Sequence, residues 1–265
     1  MIFRVLVLSL VFVSCGQSQK KTSYISFKKL NDSIYVNVKN TLACPTHLKV
    51  TNLISKKQKV LDLKAYQENT FLSFSSLEKD SIQILKEFDF SLKYGTSYPL
   101  KSYDTLYNYA LPFLKGKRYK ILQGQNTNFT HKGTKSRYAI DFKMNVGQTI
   151  CAMRDGVVVA IKQDSNKGGR SKKYLNDGNY VMLYHKDGLF TQYVHLKKDG
   201  VIVKKGDSVK KGQPIAYSGN TGMSTEPHLH FGVFKATEKG FESIPYLLNS
   251  ISTKKYIKGK YALNK

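Results

Sequence analysis

Between about residue 25 and residue 105 the chain alternates apolar and polar positions with a period of two. Ile34, Val36 and Val38 interleave with Tyr35, Asn37 and Lys39, and Phe88, Phe90 and Leu92 with Asp89 and Ser91. Side chains along a strand point alternately to its two faces, so this pattern predicts half-buried strands. Further short runs at 47–53, 59–63, 70–74 and 81–85 bring the expectation to six or seven strands with turn residues between them. After a basic stretch at 115–120 the pattern is again that of strands, at 139–142, 156–161, 179–185 and 189–196. Asp187-Gly188 supplies a tight hairpin turn between the last two. A quasi-repeat follows, with Val203 and Gly206 echoed by Val209 and Gly212, and its glycines predict tight corners. The polar segment 162–178 has several Gly and Lys and no apolar period; it reads as a mobile surface loop of the kind that borders an active site.

These runs predict an all-β chain in two parts. Residues 25–110 are expected to form an immunoglobulin-like β-sandwich, and residues 117–250 a compact antiparallel β domain, followed by a basic tail at 251–265. No long helix is expected beyond the first fifteen residues. Nothing in the first part has the look of catalysis. Its lone histidine, His47, follows Cys44-Pro45-Thr46 at a strand start and reads as a surface residue.

The amino terminus adds an address. Arg4 precedes an apolar run at 5–14, which Cys15-Gly16 and then polar residues follow. Ten apolar residues are half of the roughly twenty that span a bilayer, and they suit the hydrophobic region of a secretory signal. A cysteine at its end resembles a bacterial lipobox. Residues 1–15 are therefore read as a signal peptide with Cys15 as the lipidated residue, and 16–24 as a polar tether; Phe12 leaves an ordinary cleaved signal as the alternative. The expected location is a membrane-anchored lipoprotein of the bacterial envelope, periplasmic or at the surface.

Composition narrows the partners. In 265 residues there are 18 Tyr, 14 Phe and no Trp, which favours strands, and the formal net charge is +25. Such an excess suits nucleic acid, a lipid surface or the polyanions of an envelope, while its scatter along the chain also suits a solvated surface. Export makes nucleic acid an unsuitable partner and leaves anionic envelope polymers. Cys44 and Cys151 fall in different parts with no CxxC pair, so two buried free thiols are expected rather than a disulfide or a cysteine metal site.

The candidate chemistry lies in the second part. Four of the six histidines lie beyond residue 184, and two form His228-Leu229-His230. On a strand, positions i and i+2 share a face, so both imidazoles would look at one site while Leu229 enters the core. With one further oxygen or nitrogen donor they would suit zinc; two exposed histidines on a strand would give the same pattern, and the spacing alone does not say which histidine binds metal.

The context is more specific. Residues 219–233 read Gly-Asn-Thr-Gly-Met-Ser-Thr-Glu-Pro-His-Leu-His-Phe-Gly-Val, with Thr191-Gln-Tyr-Val-His195-Leu and Tyr138-Ala-Ile-Asp141-Phe upstream. Together with the 147–158 stretch and the Val-Lys-Lys-Gly-Asp repeat, the region from about His131 to Val233 resembles the lysostaphin/LytM-type zinc peptidases, peptidoglycan endopeptidases of bacteria. The resemblance leaves out the N-terminal part. It implies a compact antiparallel β metallopeptidase domain, one zinc ion held by His131, Asp141 and His230, and His195 and His228 as the catalytic histidines off the metal. It implies peptidoglycan peptides as substrate. Nine residues separate His131 from Asp141, where the commonest form of the family has three. His185, near His195 across the hairpin, is read as structural. A metal-free scaffold or activator of other wall hydrolases is the alternative, one that typically lacks the ligands this chain keeps; a lipoyl-type carrier fold would explain the glycine repeat but needs no HxH.

Overall fold

The computed structural model describes residues 24–127 and 130–265. The expected signal segment, Cys15 and the tether as far as residue 23 lie outside the described residues. Among those described, no helix is long and apolar enough to cross a membrane.

The first unit is built of β1 (Ile25–Leu30), β2 (Ser33–Lys39), β3 (Thr46–Asn52), β4 (Gln58–Leu63), β5 (Glu68–Ser75) and β6 (Phe88–Tyr94). They form two antiparallel three-stranded sheets, in the orders β1-β2-β5 and β4-β3-β6. The period-two pattern decides what each sheet buries. Ile34, Val36 and Val38 of β2 meet Leu48 and Val50 of β3 and Phe90 of β6 in one core. Two expectations are corrected here. Residues 81–85 are not a strand but part of a helix, α1 (Ser81–Glu87). Asp80 accepts a hydrogen bond from the Gln83 backbone N–H while the Gln83 side chain accepts from the Asp80 N–H, a reciprocal cap that satisfies two donors of the first turn. Only Ile84 of α1 is buried, so the Ile82/Ile84 alternation reflects one turn of helix. His47 is 1% exposed rather than a surface residue. β3 is paired on both edges, and its His47 face is covered: Nδ1 lies 3.1 Å from the Gly95 carbonyl, and Lys49, two residues on, reaches Glu238 at 3.7 Å.

The rest of the chain is again nearly all strand. It runs through β7 (Asn108–Tyr109), β8 (Arg118–Gln123), β9 (Ile140–Lys143), β10 (Thr149–Cys151) and β11 (Gly156–Lys162) to the two-residue β12 (Gly168–Gly169). The expected hairpin follows as β13 (Tyr180–Tyr184) and β14 (Phe190–Val194), then β15 (Leu196–Val201), β16 (Ser208–Val209), β17 (Pro214–Ser218) and β18 (Gly222–Met223). The chain closes with β19 (His228–Thr237), β20 (Gly240–Ser243), β21 (Leu247–Leu248), β22 (Ile251–Ser252) and β23 (Tyr261–Leu263). The main sheet has the order β16-β11-β13-β14-β19-β9-β8-β23, with β20 paired to β19. A second sheet, β10-β17-β15, packs against one of its faces. Phe142, Leu183, Tyr193, Leu229 and Phe231 meet Ile150, Ile215 and Leu196 there in the main core. Gly206 and Gly212 adopt φ of 96° and 85°, a region that glycine enters without steric cost, and they make the expected corners.

The other face of the main sheet is divided. Toward one end Val159, Met182, Phe190 and Phe234 pack with Cys44, Leu42, Ala43 and Tyr94 of the first unit. The remainder stays open as the floor of a cleft. Cys44 and Cys151 are both buried free thiols, as expected.

Candidate metal centre

β9 and β19 are neighbours, and their register sets His230 across from Asp141 and His228 across from Lys143. His228 and His230 therefore share the cleft face, while Leu229 is fully buried beneath them. Asp141 faces the same way from between the buried Ile140 and Phe142. His131 comes from the connection between β8 and β9. Its nine-residue gap to Asp141 is a coil of tight turns: Ser136 Oγ donates to the Thr130 carbonyl at 2.7 Å and the Arg137 N–H to Gly133 at 2.9 Å. The extra length therefore folds back on itself and leaves His131, fully buried, beside the strands.

Three donor atoms converge. His131 Nε2 lies 3.3 Å from both His230 Nδ1 and Asp141 Oδ1, and His230 Nδ1 lies 2.8 Å from that same oxygen. Donors held 2.0–2.1 Å from a tetrahedral ion stand about 3.3 Å apart, so two imidazoles and a carboxylate at these distances fit zinc. The tautomer fits as well. His131 Nδ1 is 2.8 Å from the Gly124 carbonyl, which can only accept, so Nδ1 carries the proton and the Nε2 lone pair looks inward.

His195 and His228 stand beside this triad with their rings 4.5 Å apart. Both are held through Nδ1 by backbone carbonyls: His195 by Thr221 at 2.6 Å, His228 by Glu226 at 2.8 Å. Each Nδ1–H donates outward, and each Nε2 is left with a lone pair; that of His228 lies 3.9 Å from Asp141 Oδ1. Ser224 Oγ steadies the second arrangement by donating to Asn220 Oδ1 at 2.7 Å and touching His228 Nδ1 at 3.1 Å. His195 has a φ of +67°, uncommon for a side chain with a Cβ. A buried network holds it there. Asn179 donates to the Ser165 and Leu196 carbonyls, and Thr221 Oγ1 donates to the same Leu196 carbonyl at 2.8 Å. Gly222 sits at φ +83°, where a Cβ would come within 2.6 Å of Gly178, so only glycine lets the Thr221 carbonyl approach His195.

Electrostatics separates the groups. Burial raises the Asp141 carboxyl, but hydrogen bonds from His131 and His230 outweigh it and hold the acid well below the usual carboxylate range. Burial, with His228 and His230 nearby, pushes His195 down to about 3. Burial also lowers His230, whereas at His131 the Asp141 carboxylate outweighs burial and raises it. Near neutral pH His195 is therefore neutral beside an ionised Asp141, and its Nε2 offers a lone pair rather than a proton.

All five predicted residues thus come together: Asp141, His195, His228 and His230 line a cleft of about 1240 Å³ whose floor includes Val194 and reaches Met182 and Phe234 of the packed end, and His131 lies buried beside them. His185 does not join them. It is not near His195 across the hairpin: Tyr184 pairs with Phe190 and Tyr180 with Val194, so the two histidines lie at opposite ends. His185 bonds instead to the Asp155 carbonyl at 2.7 Å and Thr191 Oγ1 at 3.0 Å, a structural role as expected. Segment 162–178 does border the cleft, and it contains β12 and a 3-10 turn capped by Ser171. Sequence reasoning assigned no role to Ser224, Asn179 or the carbonyls of Gly124, Thr221 and Glu226. Ser224 lay within the 219–233 motif and could have been singled out; a carbonyl is common to every residue and gives no signal.

Residues 135–241 match the model of Peptidase family M23, a span that includes Asp141, His195, His228 and His230 and begins just after His131. The chain is 30% identical over 234 residues to an uncharacterized metalloprotease of Buchnera aphidicola subsp. Baizongia pistaciae, covering 80% of this chain and 58% of the relative. It is 42% identical over 101 residues to the peptidoglycan DD-endopeptidase ShyA of Vibrio cholerae, covering 38% of this chain and 19% of that one. It is 45% identical over 97 residues to the glycyl-glycine endopeptidase ALE-1 of Staphylococcus capitis, covering 36% and 24%. The chain spans at most 58% of the length of these three curated relatives.

Proposed function

Because residues 135–241 form a peptidase family M23 domain, we propose that this chain is a zinc-dependent endopeptidase that hydrolyses peptide bonds in peptidoglycan cross-links or stem peptides. The observation that carries the proposal is the convergence of His131 Nε2, Asp141 Oδ1 and His230 Nδ1, all within 4.8 Å of one another, beside two histidines that turn lone pairs toward them. His131, Asp141 and His230 would hold one zinc ion, which when bound supplies Lewis acidity, polarising a carbonyl and making water more acidic.

The chain's own residues do the rest. His195 and His228 have each fixed one ring proton on a backbone carbonyl, so neither ring can turn, and each Nε2 is free to take a proton from water or return it to the leaving amine. Once protonated, either ring becomes a donor toward negative charge on the substrate oxygen. Asp141 stays ionised throughout and balances part of the positive charge that gathers there. The cleft floor and the 162–178 segment exclude water from one side of a bound peptide.

The named relatives act on two kinds of cross-link, and both kinds fall within the proposal. Their cell-wall chemistry supports an envelope location, and the net charge of +25 would favour anionic envelope polymers around the enzyme. Lipid on Cys15 would give the membrane attachment.

Metal analysis and digestion of purified peptidoglycan test this together. Wild-type protein should carry one zinc and release new muropeptides seen by mass spectrometry. His230→Ala should lose both metal and products, whereas His228→Ala should keep zinc and lose most turnover. Release of zinc by His228→Ala would show that the division of roles within the HxH pair is wrong, and a zinc-loaded wild type yielding no products would sink the proposal.

A further inference from the structure

The cleft onto which Asp141 and His230 open is lined by five cations, Lys135, Lys162, Arg170, Lys172 and Lys258, and by two carboxylates, Asp141 and Glu226. Both carboxylates are already engaged: Asp141 by His131 and His230, Glu226 by Lys143 at 2.9 Å. Lys162 is matched by Asp164 at 2.6 Å. The other four are exposed, and among the described residues none has a carboxylate within ion-pair distance. A ligand in the cleft therefore meets four positive charges that the protein itself does not balance.

These four stand on two banks. Lys135 belongs to the turn that carries His131, and Lys258 follows Tyr256-Ile257, whose backbone packs on Gly124, the residue that holds His131. Arg170 and Lys172 belong to the facing segment. It is tied to the His195 side because β12 pairs with β18, and Thr221, which holds His195, immediately precedes β18. A peptide crossing the triad passes between one pair of cations and the other, over an apolar floor.

We infer that the substrate is an acidic peptide, with free carboxylates near the scissile bond, rather than a neutral bridge of glycines. This rests on the peptidase reading above and names the substrate class for that same site. Exposed ion pairs contribute modestly, so each cation should change the reaction roughly two- to fivefold, and salt should screen the effect. A polyglycine strand has no charge with which to gain from them.

The test uses the zinc-loaded full chain and three probes: a cross-linked stem-peptide dimer with free carboxylates, the same dimer with its carboxylates amidated, and pentaglycine. At about 20 mM salt, kcat/KM for the acidic dimer should exceed that for the amidated one by roughly twenty-fivefold, with the ratio falling toward one near 500 mM. The double variants Lys135→Gln/Lys258→Gln and Arg170→Gln/Lys172→Gln should each cut the low-salt ratio by about fivefold. Equal rates on acidic and amidated dimers, a ratio unmoved by salt and by both variants, or preference for pentaglycine would overturn the inference while leaving the peptidase reading intact. Cleavage of none of the three would overturn the peptidase reading itself, and this inference with it.

Discussion

His185 is buried and His195 half-buried, and at the residue scale their surroundings give them different work. His185 is fully buried between the Asp155 carbonyl and Thr191 Oγ1. Burial and the nearby Arg154 guanidinium push it down to about 4 from 6.5. Between those values the unfolded chain binds a proton that the folded chain does not, so stability rises with pH across that window. The contribution is complete above about pH 6.5 and is lost as pH falls toward 4, a loss on the order of 3 kcal/mol. Urea midpoints of wild type should fall over this range, and those of His185→Gln should fall less. Matching slopes would show that His185 does not titrate this way. At His195 burial is joined by two neighbouring imidazoles that also push it down, and its ring lines the cleft, which that of His185 does not.

Elements are where local chemistry and the fold meet. Gly222 at the start of β18 is needed by two contacts at once, Gly178 on one side and His195 on the other. Gly222→Ala should lower turnover by an order of magnitude or more with zinc content unchanged, since it displaces a carbonyl that orients a base and touches no metal ligand. Zinc analysis and kcat measured on the same preparation would check this; loss of zinc would mean that the whole site had shifted. The helix α1 is a plainer case: Asp80→Ala removes its cap and should cost about 1 kcal/mol in urea denaturation. Legibility differed between these elements. The strands of the second part were readable because period-two burial is a local property, and so was the turn at Asp187-Gly188. α1 was misread because seven residues hold too few apolar positions to separate one helical turn from an alternating strand. His47 was misread because the β19–β20 hairpin that covers it lies nearly two hundred residues further on.

On the scale of the whole molecule, the two units share a core. Tyr94 of the first packs on Phe190 and Phe241 of the second with ring centroids 5.9 and 5.5 Å apart. Phe190 is fully buried, so Phe190→Ala should destabilise by about 3–5 kcal/mol and loosen both units together. Calorimetry would show this as a lower midpoint for the whole chain; an unchanged transition for the first unit would mean that the shared core couples nothing. Chelation of zinc should likewise lower the midpoint, because an ion that binds only the folded state stabilises it by mass action. The sequence by itself determined the strand-rich class, the corners at Gly206 and Gly212, the sharing of a face by His228 and His230, and the motif residues that point to a metal. These follow from side-chain identity and short-range period. Only the tertiary structure decided that a nine-residue gap still returns His131 to Asp141, that four cations flank the site, and that carbonyls of Gly124, Thr221 and Glu226 set the protons of three imidazoles. Every residue has a carbonyl, and only folding selects which ones face a histidine.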